Sequence, residues 1–595
     1  MFGPLTTSLW RSCSHENARS HGWARARTRL THGGFGPCAL KATRSTARSC
    51  GRPTRHETAK SLGQERQTHE AVPGGLPQPQ NQQHPFMSYS LVWFKRDLRW
   101  QDHASLAKAS KQGPVRCIYV VEPELWKQAD CALQHFEFAR ESLQALDAHL
   151  RTLGGCVEIH TGELPDVLAR IWQEAPFTGL FSHEETGNGF TYGRDLKVAA
   201  WCQAKGVAWH EFSQFGVVRR LKSRNLWQSE WERHMAAPVE RVESLTFWRT
   251  APHSAHAPFA MPAPGHLQHN PPLRQRGGRT LALATLDSFL QARSIGYRGG
   301  ISSPLSAPDA CSRLSAYLAF GCISMREVVQ QTRAQIAQLP PQASRHRAGL
   351  SAFISRLYWH CHFIQKLESE PAIEWRNMHR GYDGLREEEF NPAHFEALIE
   401  ARTGWPMVDA CVTMLRETGW LNFRMRAMLV SVAAYPLWLH WRPVGEWLAT
   451  QFLDYEPGIH WSQLQMQSGT TGINTTRVYN PIKQAQDHDP HGRFVKRWLP
   501  HMRHVPEPWL FEPWKMPAQG PSHPGLALFI TPPLVDLAAA TRESKQRLHA
   551  RRQTDEVKAG KASVIDKHAS RKSLPSKKKA SRPERPETQQ LGFDF

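Results

Sequence analysis

SLVWFKRDLRW (residues 90–100), DHASLAKASKQ (102–112) and VRCIYVVEP (115–123) decide the fold. The first opens on an apolar run, the second has helical character, and the third is a short buried-type strand ended by Pro123. Read in order they predict strand, helix, strand. The alternation continues through a helix (FEFARESLQALDAHLRTLG), a strand (CVEIHTG), a helix (LPDVLARIWQEA) and a strand (GLFSHEE). Strands separated by helices pair through crossovers, and crossovers build parallel sheets. Residues 88–215 are therefore expected to form an α/β domain with a doubly wound parallel sheet.

Outward from that domain the composition changes. Residues 216–300 are rich in Pro, Arg and His and are expected to be a linker. Residues 301–510 read as an all-α domain with many aromatics. Residues 541–595, containing SRKSLPSKKKASRPERPE, are expected to be a disordered basic tail, because so few apolar groups cannot offset the entropy of ordering. Residues 1–86 are Arg-, Ser-, Gly- and Pro-rich. That segment is expected to be disordered or a mis-called extension, with Met87 as the start; a transit-peptide-like segment is the alternative.

The net charge is +21, but it is uneven. Residues 1–86 hold 12 Lys/Arg against 4 Asp/Glu, and 541–595 hold 15 against 7. The tails thus carry +16 and leave +5 for the 454 residues between them. That permits a polyanion partner without demanding one. The eleven cysteines show no CxxC or zinc-like spacing, which reads as free thiols and no metal. No apolar run approaches the ~18 residues of a membrane span, so the chain is expected to be soluble and cytoplasmic, nucleoid-associated if bacterial.

Walker, GxGxxG, HExxH and GxSxG motifs are absent from fitting contexts, which disfavours the common nucleotide and hydrolase sites. The informative stretches lie in the helical half. DACSRLSAYLAFGCIS (309–324) puts small hydroxyl and thiol residues before an apolar helix, a place for a phosphate or for plain N-capping. TGWLNFRMRAMLVSVAAYPLWLHW (418–441) carries Arg424 and Arg426 in an apolar helix, and a buried guanidinium needs a carboxylate or an anionic ligand. Asp454 and Glu456 in LDYEP are the nearest candidates. HWSQLQMQSG (460–469) is amide-rich, which suits either a solvated loop or the wall of a polar pocket.

LVWFKRDLRWQDHASLAKA resembles the opening of the antenna domain of the photolyase/cryptochrome family, the deoxyribodipyrimidine photolyase-like flavoproteins. SRLSAYLAFGCIS, RTGWPMVDACVTMLRETGWLNFRMRAML and TRVYNPIKQAQDHDPHGRFVKRWLP resemble its FAD domain. The likeness spans about residues 88–510. It implies FAD, with Tyr297 on the phosphate side and Ser312, Arg313, Leu314 and Ser315 at the pyrophosphate. Cys311 stands where a Thr is common. Arg356 lines the flavin cavity, and Trp420, Asn422, Arg426, Asp454, Tyr455 and Glu456 surround the isoalloxazine, Glu456 replacing a second Asp.

The resemblance implies a DNA repair enzyme, a carbon–carbon lyase in which light-excited reduced flavin donates an electron to a flipped pyrimidine dimer. Three departures bear on this. The Glu and stacking Trp of dimer-repairing members fall on Ala352 and Ser355, and a second pocket Trp falls on Leu464; Trp359, His360 and His362 are the substitutes available. In the electron relay Trp441 matches the middle member, Ser462 the proximal position with Trp461 beside it, and Glu388 the outer one, with Trp375 or Trp447 able to complete another path. The residue facing flavin N5 falls in a deletion near Gly458–His460. For the antenna chromophore, a folate or deazaflavin, the family's Glu falls on Thr191, with Glu184 and Glu185 nearby. The last residues, QQLGFDF, resemble peptides that dock on the bacterial sliding clamp through residues such as Phe593 and Phe595. DNA and the sliding clamp are the expected partners of a monomer. A cryptochrome-like photoreceptor without repair is the alternative.

Overall fold

The computed structural model describes residues 88–249, 259–474, 476–517 and 530–570. The N-terminal segment and QQLGFDF lie outside the described residues, and so do the expectations placed on them. Five strands, β1 (Ser90–Phe94), β2 (Val115–Val121), β3 (Val157–Thr161), β4 (Gly179–His183) and β5 (Ala208–Phe212), form one parallel sheet in the order β3-β2-β1-β4-β5. Period-two alternation explains why β1 is buried on both sides. Leu91 and Trp93 face one core with Ile118, Val120 and Leu164, whereas Val92 and Phe94 face another with Cys117, Phe136 and Leu143.

Four helices cover the faces: α1 (Ala104–Ser110), α2 (Leu133–Thr152), α3 (Leu164–Glu174) and α4 (Gly189–Lys205). The chain runs from β1 to β2 on one side and later returns to β4 on the other. The carboxyl ends of β1 and β4 therefore flank the topological switch point, where α/β sheets leave a crevice.

The expected linker is structured. It contains α5 (Trp227–Ala236) and α6 (Arg279–Gln291), and Trp227 and Trp231 are buried with ring centroids 4.8 and 5.3 Å from Tyr358. A few large apolar anchors fix this region despite its polar average. The helical domain is built around α7 (Ser344–Ser369), α8 (Phe423–Ala434), α9 (Trp441–Gln451) and α10 (Pro457–Ser468). α7 and α10 approach closely at Gly458, where a β-carbon would lie 2.6 Å from the Cα of Ile364. Glycine is required there by space.

The expected disordered tail is likewise corrected over its first part. Residues up to 568 form α11 (Leu537–Arg552) and α12 (Asp555–His568), with Leu548 and Val557 buried beside Tyr382 and Tyr435. The Asp536 side chain caps α11, Arg551 reaches the Gly381 carbonyl at 2.5 Å, and His568 Nε2 lies 2.8 Å from Glu370. Ion pairs and two apolar anchors hold helices that are too charged to be read as core. No helix among the described residues is long and apolar enough to cross a membrane.

Candidate cofactor site and interdomain cleft

The helical-domain site begins with Arg426, one turn into α8. Its Nη1 and Nη2 donate to the two carboxylate oxygens of Asp454 at 2.9 and 3.0 Å, and its Nε donates to the Leu421 carbonyl at 2.6 Å. Burial works to raise Asp454, but Arg426 outweighs it and holds the carboxyl below its usual range, assisted by a hydrogen bond from Ser315. This is the bidentate, charge-assisted pairing expected of a buried guanidinium. Arg424 does not join the site; its charge acts on His488 instead.

The 311–315 segment faces that pair. Arg313 adopts φ 61°, a conformation that L side chains rarely take, and stacks on Trp420 with 3.8 Å between guanidinium and ring centroid. Asn422 donates to the Ile301 and Ser302 carbonyls at 3.0 Å each, and its own Oδ1 is buried without a partner among the described residues. Tyr297 is buried and hydrogen-bonded to Arg356, while Leu314 is fully buried.

Sequence reading missed Arg293, which donates to the Ser312 carbonyl at 3.1 Å and also contacts the Cys311 carbonyl. Arg313, Arg426, Arg293 and Arg356 all act on Cys311, whose thiol burial nevertheless pushes up to about 11. Burial lowers Arg313 to about 10, and Asp454 is the carboxylate that opposes this. Four guanidiniums thus surround a neutral thiol with Asp454 as the counter-charge.

His360, one turn beyond Arg356 on α7, comes within the field of Asp454; burial lowers it to about 4, so it is neutral at pH 7. Its Nδ1 is buried without a partner among the described residues. Trp359 packs edge-on against His362 at 4.8 Å.

Other expected residues fall elsewhere. Leu464 is 2% exposed and packs into the core against Gly445, so it does not line a base pocket. α10 is a helix, not a loop, and it turns that face toward α9. Tyr455 and Glu456 point away from Arg426. The Tyr455 hydroxyl donates to Asp130 at 2.6 Å, and Glu456 lies 3.5 Å from Arg96. Ser462 is buried and Glu388 exposed, and neither offers an aromatic ring.

Trp441 and Trp461 are both at most 1% exposed, with centroids 5.9 Å apart at 67°. Trp441 donates to Asn377 at 2.8 Å. Arg442 lies 4.5 Å from the Trp461 ring and 6.0 Å from Trp375, which is 51% exposed. Trp447 is only packed against the core.

A second site is the cleft at the carboxyl ends of β1 and β2. It encloses about 800 Å³ of space not filled by atoms, open solvent included, between Trp93, Tyr119, Trp126, Phe320 and Tyr455. Thr191 and Glu185 line it, and Glu184 lies just beside it, accepting from Ser213 at 3.0 Å. Thr191 Oγ1 is spent on the Asn188 carbonyl at 3.0 Å, and Arg194 holds Glu185, Glu122 and Asp195 at 2.5–3.0 Å. Asp97, His103 and His183 cluster beneath, but His103 Nδ1 accepts the Leu106 N–H. That leaves the proton on Nε2, facing Asp97 at 3.0 Å, so the group reads as a hydrogen-bonded core and not a metal site.

The description "FAD binding domain of DNA photolyase" matches residues 353–550, and "DNA photolyase" matches residues 90–220. A cryptochrome DASH of Gloeobacter violaceus is 26% identical over 498 residues, covering 76% of this chain and 95% of that protein. A deoxyribodipyrimidine photo-lyase of Escherichia coli is also 26% identical, covering 72% and 92%. Among solved structures, an archaeal photolyase of Sulfolobus tokodaii with two FAD molecules has a TM-score of 0.63 at 24% identity, covering 78% of this chain and 99% of that one. A class III photolyase of Agrobacterium tumefaciens has a TM-score of 0.66 at 22% identity, covering 78% and 98%. With its parallel-sheet domain, its helical FAD-binding domain and these relatives, the chain belongs to the photolyase/cryptochrome family.

Proposed function

We propose that the chain is a light-driven DNA photolyase that repairs ultraviolet pyrimidine dimers. The observation that carries the reading is the convergence of Arg293, Arg313, Arg356 and Arg426 on the 311–315 segment, with Asp454 as their counter-charge. Such a cluster suits a ligand with a pyrophosphate and a ring that accepts positive charge, and FAD has both. In this reading Ser312, Arg313, Ser315 and Arg293 hold the pyrophosphate, Tyr297 and Arg356 close the phosphate side, and Arg426 and Asp454 orient the isoalloxazine. The orphan Asn422 Oδ1 and His360 Nδ1 are the polar atoms left to meet it. When bound and reduced, FAD supplies a light-driven one-electron donor.

The chain's own groups do the rest. His360 lies within the field of Asp454, and Trp359 precedes it on the same turn of α7; the two would meet a flipped base, His360 as a neutral hydrogen-bonding ring. Trp461 and Trp441, with Arg442 leading to Trp375, would carry electrons between this interior and the surface. The interdomain cleft would hold an antenna chromophore, folate or deazaflavin. A second reading is a cryptochrome-like photoreceptor without repair; it is favoured by Leu464, an aliphatic side chain turned into the core, which leaves this position of α10 with no ring to offer a dimer.

The test is direct. The FAD-loaded, reduced protein is irradiated with oligonucleotides carrying cyclobutane or (6-4) lesions. Light-dependent restoration of either supports repair; restoration of neither leaves the photoreceptor reading.

A further inference from the structure

At the opposite end of α8 from Arg426, a second buried guanidinium sits with two of its nitrogens unbonded among the described residues. Arg386 is 1% exposed, and its Nε and Nη2 have no hydrogen-bond acceptor among the described residues. Its guanidinium lies 4.4 Å from the Trp438 ring centroid and 5.7 Å from that of Tyr435. Tyr382 and Tyr435 are both fully buried, and their hydroxyls also lack a partner among the described residues. The two phenols act on one another and pack in the same small core as Leu548 of α11.

Every unsatisfied atom of this group is an N–H or an O–H. Water can accept from such donors, but it carries no charge to balance a buried guanidinium. The carboxylate nearest to Arg386 in sequence, Glu387, acts on its charge, but its oxygens bond other groups. Glu387 accepts Arg386's own backbone N–H at 2.8 Å through Oε2, while its Oε1 faces Asn377 at 3.5 Å and His440 at 3.6 Å. Glu389 is paired with Arg547, which stacks on Trp438 at 4.2 Å. Arg552, the other cation acting on Tyr435, donates to the Asn474 carbonyl at 3.1 Å. Against the three cations Arg386, Arg547 and Arg552 stand two carboxylates, Glu387 and Glu389, so the surplus is positive. Burial pushes Tyr435 up to about 12, which keeps its hydroxyl a donor at any physiological pH.

We infer that Arg386, Tyr382 and Tyr435 bind a small anion of halide size beneath α11. The size follows from the packing. A β-carbon at Gly469 would lie 2.7 Å from the Tyr435 hydroxyl and 2.9 Å from Leu548, and none of the four donor atoms opens onto a cleft. A halide accepts from several donors without directional preference and balances Arg386 in place. Ser544 of α11 donates to the Tyr435 carbonyl at 2.6 Å, so the anion would tie the C-terminal helices to the end of α8.

Crystals of the full chain soaked in sodium bromide are expected to show an anomalous peak bounded by Arg386 Nε and Nη2 and the two tyrosine hydroxyls. In solution, the melting midpoint at fixed ionic strength is expected to be higher in sodium chloride than in sodium gluconate. It should rise by about 1–4 °C per tenfold increase in chloride above saturation. Arg386→Gln should abolish that chloride dependence, and Tyr382→Phe should weaken it several-fold; the latter keeps the ring and carries the test if Arg386→Gln does not fold. Only water at the position in the bromide crystal, or a wild-type midpoint equal in the two salts, overturns the inference. So does an unchanged chloride dependence in Tyr382→Phe.

Discussion

LDYEP divides the molecule's two buried polar interiors. Asp454 turns into the arginine-rich site of the helical domain, while Glu456, two residues on, turns into the acid-rich junction with the α/β domain. The two carboxylates respond in opposite ways. Asp454 is held below its ordinary range by Arg426, whereas burial pushes Glu456 up to about 7 against the partial help of Arg96. Glu374, which accepts the Gly189 N–H at 2.7 Å across the same junction, is also raised by burial to about 7, and Glu122 to about 6. A cation surplus calls for an anionic ligand. An acid surplus takes up protons and makes the junction sensitive to pH.

The largest effect should come from unbalancing the first interior. Arg426→Ala removes both hydrogen bonds to Asp454 and leaves a buried carboxylate unpaired, a change that costs about 3–5 kcal/mol where it occurs. The variant is expected to purify without stoichiometric FAD, read from the flavin absorbance. Retention of full yellow colour would remove Arg426 from the cofactor site. Asp454→Asn should lose less, because an amide still accepts one bond from the guanidinium.

The second interior is probed by pH. Glu456 and Glu374 bind their protons more tightly folded than unfolded, so their contribution is complete below about 4.5 and is lost as pH rises toward 7. Each is worth roughly 3 kcal/mol at most on that span. Asp454 has the opposite sign, lending stability that is lost as pH falls through its lowered value. Buried histidines such as His135, His360 and His460, lowered to about 4, gain stability over the same range, so the junction is read as a difference: relative to the double variant Glu456→Gln with Glu374→Gln, the wild-type melting midpoint should fall between pH 5 and 7. A slope unchanged in the double variant would mean that the junction is hydrated enough to ionise freely.

A third, smaller effect tests the packing that holds the relay pair. A methyl group at Gly445 would lie 2.5 Å from both the Trp461 ring and Leu464. Gly445→Ala is expected to destabilise the helical domain by about 1–3 kcal/mol through overpacking, measured by denaturant unfolding. A neutral result would show that α9 and α10 can separate at low cost.

The contrast also explains what was legible in the sequence. The sheet was, because β1, β2 and β4 are short, largely apolar runs broken by helices, as parallel strands buried on both faces are. The need for a partner to Arg426 was legible as well, since an arginine in an apolar helix must be compensated. Which acid supplies it was not. Asp454 and Glu456 are equally close in sequence, and LDYEP is an irregular segment with no period to say where each side chain turns. Leu464 was placed by counting from a motif, but counting carries no information about which face of α10 meets α9. Arg293 lay in a stretch whose composition reads as linker, and α11 and α12 in one that reads as disorder. In both, a few anchors such as Trp227, Trp231 and Leu548 outweigh a polar average.

The smallest expected effect lies where the two interiors meet the surface. Trp375 is half exposed and stands over Gly189, the residue whose N–H Glu374 accepts, and Arg442 lies between its ring and Trp461. If electrons reach the helical site from solvent through Trp375, its replacement by Phe should slow light-driven reduction of the bound flavin by a measurable fraction. Trp461→Phe, at the buried end, should slow it far more. Both variants keep an aromatic ring, and FAD content is measured alongside, so that with equal flavin loading the rate of bleaching at constant thiol reads the path alone. Equal rates in wild type and Trp375→Phe, with Trp461→Phe still slow, would move the outlet to another side of Trp441.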